Sequence, residues 1–217
     1  MIVCDGWATE VVAAGPGERL AVSRVGVDDE GRTGVPEVVG VLLAAGGGTR
    51  FGMPKVLAAE GEWLRLGVRA LADGGCTQVL VTVGAAEPPM PPRASAVRVE
   101  KWRDGLSESV RAGLIRARER KGLTGVVLHV VDIPDTTVAQ VRRLLEAAGP
   151  TVTAVARATH SGKAGHPVYL GAEHLDAVLD ILSGDRGAGP YLATRDDVID
   201  VECGDLGSGL DHDYPDA

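Results

Sequence analysis

Apolar residues recur along the chain in two alternating patterns. Residues 38–45, 78–84 and 125–131 are short, almost continuously apolar runs, the pattern of strands covered on both faces. Residues 63–71, 107–118, 137–147 and 172–182 instead repeat apolar side chains at helical spacing. In 107–118 the expected buried face is Val110, Leu114 and Ile115, with arginines opposite and Ser107 and Ser109 at the amino end. Thr137 followed by Gln140 predicts a capping box. Short strands are expected at 96–100 and 198–202, and a strand pair at 151–158 and 167–170 around Ser161-Gly162-Lys163-Ala164-Gly165. Residues 87–93 hold four prolines and predict an irregular loop. From residue 37 onward this alternation predicts an α/β domain: three-layer α/β/α, with a mostly parallel mixed sheet and helices on both faces. Residues 1–36 stand before it. Segments 9–14 and 20–27 around Gly15-Pro16-Gly17 predict a hairpin, and 28–36, acidic and glycine-containing, predict a linker. The expected division is therefore an N-terminal extension, 1–36, and one domain, 37–217.

Composition narrows the partners. A formal charge of −8 over 217 residues argues against a general nucleic-acid binder, which needs a basic face, and implies that any triphosphate arrives with a divalent cation. Aromatics are 3% of the chain, so the core must be mostly Val, Leu and Ala. Cys4, Cys76 and Cys203 are scattered without C-x-x-C spacing, which fits a reducing cytosol better than disulfides or zinc. No run is long and apolar enough to span a bilayer, and Asp5 and Glu10 stand where a signal peptide would be basic. The expectation is a cytoplasmic protein with neither membrane nor nucleic acid as partner.

The candidate chemistry begins where the first strand ends. Leu43, Ala44 and Ala45 run into Gly46-Gly47-Gly48, then Arg50, Gly52, Pro54 and Lys55. A buried strand emptying into such a loop offers backbone N–H groups and two cations to an anion. It is not a mononucleotide P-loop, because Met53 and Pro54 intervene before Lys55, nor a dinucleotide loop, because Phe51 stands where the third glycine should be. Val131-Asp132-Ile133-Pro134 leaves the 125–131 strand at the same carboxyl edge. There Asp132 either organises a turn or serves as a carboxylate for a hard cation, and Asp135 is expected to cap the following turn.

The pattern L-A-A-G-x-G-x-R-F-G-x-P-K resembles the signature loop of the nucleotidyltransferases that act on sugars and on the molybdenum cofactor. Four further segments resemble that family in the same order: Trp102 to Leu114, the Asp-x-Pro turn at Asp132, Gly165-His166-Pro167-Val168 with Gly184-Asp185-Arg186-Gly187, and Asp211-His212-Asp213-Tyr214-Pro215-Asp216. The resemblance covers about residues 38–216 and implies a nucleotide-diphospho-sugar-transferase-like, glycosyltransferase-A-type fold with a Rossmann-like nucleotide-binding half. It implies that Leu43, Ala44, Ala45, Gly46, Gly47, Gly48, Arg50, Lys55 and Asp132 bind nucleotide, with Arg50 and Lys55 catalytic. It implies Mg2+ on Asp132 and Asp213, with Asp211 as the competing second ligand. It implies an acceptor side at Ser107, Ser109, His166, Asp185 and Arg186; Ser107 also reads as an N-cap, and His166 as a structural histidine. Ile133 and Tyr214 replace the family's usual Gln and Thr.

The implied reaction is transfer of a nucleoside monophosphate from CTP or GTP to a pterin-type phosphate acceptor, molybdopterin or molybdenum cofactor, with a molybdoenzyme or its chaperone as protein partner. Ala44-Ala45 resembles the cytidylyl-type members and favours CMP over GMP. Three alternatives stand beside it. One is a sugar-nucleotide pyrophosphorylase. Another, from similarity to proteins named nicotine blue oxidoreductases, is an NAD(P)H-dependent oxidoreductase. The third is a non-catalytic cofactor escort.

Overall fold

The computed structural model describes residues 36–214, and before them the backbone of four strands: β1 (Val3–Cys4), β2 (Trp7–Val11), β3 (Val22–Val27) and β4 (Thr33–Gly34). The chain divides into two compact units, Met1–Pro36 and Glu37–Ala217. In the first unit the strands lie in the order β1-β2-β3-β4, all antiparallel. β2 and β3 pair from Trp7↔Gly26 to Val11↔Val22, the expected hairpin, while its Gly15-Pro16-Gly17 turn lies outside the described residues. The stretch expected to be a linker is not wholly so, since Thr33 and Gly34 pair with Val27 and Gly26. A two-residue ladder uses backbone groups alone, so no side-chain alternation announces it.

The second unit runs β5 (Glu37–Leu43), α1 (Ala58–Gly74), β6 (Gln78–Val83), β7 (Ala94–Arg98), α2 (Leu106–Arg118), β8 (Leu123–Val130), α3 (Val138–Ala148), β9 (Val155–His160), β10 (Lys163–Gly171), α4 (Leu175–Ile181), α5 (Gly189–Ala193) and β11 (Ile199–Glu202). Seven strands form one sheet in the order β11-β9-β10-β8-β5-β6-β7. β5 pairs in parallel with β6 and β8, β6 with β7, and β11 with β9; only β10 is antiparallel to both its neighbours. Side chains alternate across β5: Val38 and Leu42 pack with α1 and α3, whereas Val39, Val41 and Leu43 pack with α2, α4 and α5. This is the three-layer arrangement the sequence predicts. Each fully buried Val or Leu in these layers stabilises the fold by roughly 1.5–3 kcal/mol.

Several local expectations are corrected. β7 is an edge strand with mostly exposed side chains, and it begins at Ala94 rather than at 96. Ile115 is half exposed, so the buried face of α2 is Val110, Leu114 and Ala117. Gly105, not Ser107, is the N-cap of α2, and Ser107 lies buried inside the first turn. Residues 172–182 divide into a 3-10 turn, Ala172–His174, and the short α4. Helix α3 opens on the Thr137–Gln140 capping box as expected. Among the described residues no helix is long and apolar enough to cross a membrane.

Candidate active site

β5 and β8 end side by side because their parallel register brings Leu43 opposite Val130, and Val131 N–H donates to Leu43 O at 3.1 Å. The glycine loop leaves one strand and the Asp132 turn leaves the other, so both open on one carboxyl edge, where open α/β sheets take their ligands. Gly48 shapes the loop: its φ is +59°, and a Cβ there would lie 1.8 Å from Met53 O. Gly52 N–H closes the turn onto Gly48 O at 2.7 Å. No described residue accepts from the N–H groups of Gly46, Gly47, Gly48 or Thr49. These residues line a cleft of about 670 Å3 together with Arg50, Lys55, Trp102, Arg103, Asp132, Asp185 and Asp213.

Lys55 is the hub. Its Nζ donates to Asp132 Oδ2 at 2.9 Å and to Asp213 Oδ1 at 3.0 Å, and Arg50 Nη1 donates to the other Asp213 oxygen at 3.0 Å. The Lys55 side chain is 14% exposed and that of Arg50 70%. Burial is the largest single influence on Lys55 and would lower its pKa. The bonds and charges of Asp132 and Asp213 together outweigh it, and the pKa stands raised. The bond and charge of Lys55, with Arg50 behind them, hold the Asp213 carboxyl below its ordinary value.

Asp213 reaches this point on an irregular segment that crosses the sheet edge after β11. Ser208 N–H donates to Asp135 Oδ2 at 2.6 Å, so Asp135 anchors this segment instead of capping its own turn. Gly209, at φ +65°, lies flat against the His160 imidazole, where a Cβ would be 2.3 Å from Nδ1. The His160 ring is held from behind by Gln140 Nε2, which donates to its Nε2 at 3.0 Å. His212 N–H donates to Asp132 O at 2.9 Å. Phe51, Trp63 and His212 then meet in sequence as tilted ring pairs, with centroids 5.2 and 5.4 Å apart, and tie the glycine loop to the segment. Motif resemblance points to Asp213 and takes in Phe51 and His212, but neither motif nor period points to their meeting on Trp63. The available signal was scarcity: the chain has one Phe and three Trp, and Phe51, Trp63 and Trp102 all gather around the loop.

The residues expected on the acceptor side separate. Ser109 and Asp185 line the cleft. Ser107 is enclosed by protein and does not line it, and exposed Arg186 lines neither cavity. His166 lines a second, smaller cavity of about 240 Å3, which shares Leu43 and Leu106 with the cleft. Its Nδ1–H donates to Leu128 O at 3.3 Å. Burial pushes its pKa down, offset in part by that carbonyl and by the charge of Asp132. Asp211 is exposed and outside the cleft lining; Pro215 and Asp216 lie outside the described residues.

Among the described residues no group of three or more His, Cys, Asp or Glu converges as a closed metal cage. Asp132 and Asp213, both drawn to one ammonium, are the donor set that a hard cation takes when phosphate oxygens and water complete its shell. The carboxylates present therefore fit a magnesium-like ion bound along with a phosphate ligand.

Comparisons with known proteins bear on the family and the fold. Residues 40–198 match the family model described as the MobA-like NTP transferase domain. A Paenarthrobacter nicotinovorans protein named nicotine blue oxidoreductase is 32% identical over 199 residues, 84% of this chain and 95% of that protein. The structure of Rv0371c from Mycobacterium tuberculosis H37Rv superposes with a TM-score of 0.65 at 25% identity, covering 78% of this chain and 89% of that one. Rv0371c has also been solved in complex with manganese, at 24% identity and a TM-score of 0.58 over 82% of this chain and 91% of that one. The 2-C-methyl-D-erythritol 4-phosphate cytidylyltransferase of Thermus thermophilus shares the fold at 23% identity, with a TM-score of 0.55 over 80% of this chain and 91% of that one.

Proposed function

The chain belongs to the MobA-like NTP transferase domain family, and from that premise we propose that it moves a nucleoside monophosphate, CMP in preference to GMP, from a nucleoside triphosphate to a phosphate-bearing acceptor of the molybdopterin or molybdenum-cofactor type. The observation that carries the reading is the meeting of Lys55 with Asp132 and Asp213 at the mouth of a loop whose Gly46, Gly47, Gly48 and Thr49 N–H groups find no acceptor among the described residues.

In this reading an acceptor phosphate oxygen attacks the α-phosphorus in line, the bond to the β-phosphate oxygen breaks, and pyrophosphate leaves. The glycine-loop N–H groups and Arg50 hold the β and γ phosphates. Lys55 faces the α-phosphate and the acceptor phosphate, where negative charge builds in the transition state. Asp132 and Asp213 would hold magnesium, which supplies charge neutralisation at the phosphate oxygens. No nucleophilic side chain is needed, since the acceptor brings its own oxygen. The cleft volume, about 670 Å3, falls within the roughly 300–1,000 Å3 typical of small-molecule pockets.

A second reading is favoured by one relative, the nicotine blue oxidoreductase. The same loop would then cradle the diphosphate of NAD(P)H. Incubation with α-labelled CTP or GTP, magnesium and molybdopterin, in parallel with NAD(P)H and a dye acceptor, separates the two. Labelled acceptor with stoichiometric pyrophosphate supports transfer. Metal-independent NAD(P)H oxidation with no transfer supports reduction, and neither activity leaves the escort role.

A further inference from the structure

The cleft is lined by three cationic side chains, Arg50, Lys55 and Arg103, and by three carboxylates, Asp132, Asp185 and Asp213. Two of the cations are already engaged: Lys55 by Asp132 and Asp213, and Arg50 by Asp213. Arg103 differs. Among the described residues it forms no ion pair, and its guanidinium carbon lies 4.2 Å from the centroid of the Trp102 ring. That ring is itself fixed. Trp102 Cβ packs where a side chain on Gly84 would be, 2.6 Å from an added Cβ, and the far edge of its indole lies 3.0 Å from the Cβ position of Gly47. A bulkier residue at either glycine would displace the indole. The short turn Trp102–Asp104 thus presents a guanidinium on a fixed aromatic plate beside the glycine loop.

Stacking on an indole leaves the in-plane N–H edges of a guanidinium available, and those edges match phosphate oxygens bidentately. We propose that Arg103, seated on Trp102, is a phosphate-binding residue of the cleft that takes oxygens of the bound triphosphate. The inference rests on the nucleotidyl-transfer reading and adds to it a residue outside the loop. Charge supports it: with three cations and three carboxylates the lining is balanced, so a triphosphate and one divalent cation still bring a net negative charge into the cleft. Arg103 is the cation there that is not already matched by a carboxylate.

The test is calorimetric binding of inorganic pyrophosphate, CTP and cytidine, each with magnesium, to the full chain and to its Arg103→Ala and Arg103→Lys variants. Arg103 is exposed, so both variants should keep the parent thermal midpoint, checked by circular dichroism. The expected result is that Arg103→Ala weakens pyrophosphate and CTP by about tenfold or more while any cytidine binding is unchanged, and that Arg103→Lys recovers only part of the loss. Unchanged pyrophosphate affinity in Arg103→Ala overturns the proposal alone. Equal losses for cytidine and CTP also overturn it, because they make Arg103 a nucleoside contact. A parent protein that binds neither CTP nor pyrophosphate with magnesium overturns the transfer reading and this inference with it.

Discussion

Asp213 and Lys55 are 158 positions apart in the chain and 3.0 Å apart in the fold. The contact joins the loop after the first sheet strand to the segment after the last one, across the carboxyl edge of β8. Asp132 completes the group at 2.9 Å from the same ammonium. Two carboxylates and one lysine in this arrangement satisfy each other without ligand, and a cation that takes the carboxylates would leave the ammonium to a phosphate.

Lys55→Ala should lower transfer turnover by on the order of 10²–10³-fold, the usual loss when one preorganised charge-stabilising donor is removed. Asp132→Asn should lower it comparably and raise the magnesium concentration needed for half-maximal rate. Single-turnover kinetics across a magnesium series, with circular dichroism confirming the fold, make the check.

Gly209→Ala should disturb Asp213 from a distance. The added Cβ would meet the His160 ring at 2.3 Å, and φ +65° is unfavourable for alanine. A stability loss of about 1–3 kcal/mol is expected, measured by urea unfolding. Manganese affinity in the presence of CTP should fall as well, measured by electron paramagnetic resonance.

Glu202 accepts from the N–H groups of Ser161, Gly162 and Gly204 and from the Thr159 hydroxyl. The Ser161 bond, with the others behind it, holds its pKa down to about 2. An unfolded glutamate titrates near 4.3, so below that pH the unfolded chain binds the extra proton. The contribution to stability is full above roughly pH 4.3 and is lost as pH falls toward 2. Glu202→Gln should therefore melt below the parent at neutral pH, with the two midpoints converging on acidification.

His129 is fully buried, and among the described residues neither ring nitrogen makes a hydrogen bond of ordinary geometry, the Ile133 backbone offering only a weak electrostatic pull. Burial, with the His166 ring beside it, pushes its pKa down to about 3. An unfolded histidine titrates near 6.5; between these values the unfolded chain holds the extra proton, so stability falls as pH drops from roughly 6.5 toward 3. His129→Leu should be no less stable at neutral pH, since it removes unsatisfied polar atoms. Its stability should also decline less steeply with acid, which a set of urea melts from pH 7 to pH 4 would show.

The layered fold was legible because buried strands and amphipathic helices write their periods into the sequence, as in β5, β8 and α3. The glycine loop and the Asp132 turn were legible because both follow such strands directly. What was not legible has physical reasons. β4 in the N-terminal unit is two residues long, too short to show a period. Ile115 sits at a helical position that periodicity counts as buried, but half of it stays exposed among the described residues. His166, expected on the acceptor side, lines the neighbouring cavity: it sits inside β10, where the pairing with β9 shifts register between Ala164 and Val168, and a bulge of that kind leaves no sequence period to follow. Asp213 lies in an irregular acidic segment without period, so only motif resemblance could single it out. Arg103 lies beside a tryptophan in a turn, and the ring it sits over is placed by Gly84 and Gly47, residues distant in sequence.

Calorimetric titration of CTP and GTP into the parent protein and into Asp132→Asn, with and without manganese, tests the central claim most directly. The account predicts that one nucleotide binds the parent, only with the metal present, and that Asp132→Asn loses that binding. Equal binding with and without metal, or unchanged affinity in Asp132→Asn, would contradict a polyphosphate site built on Lys55 and its two aspartates.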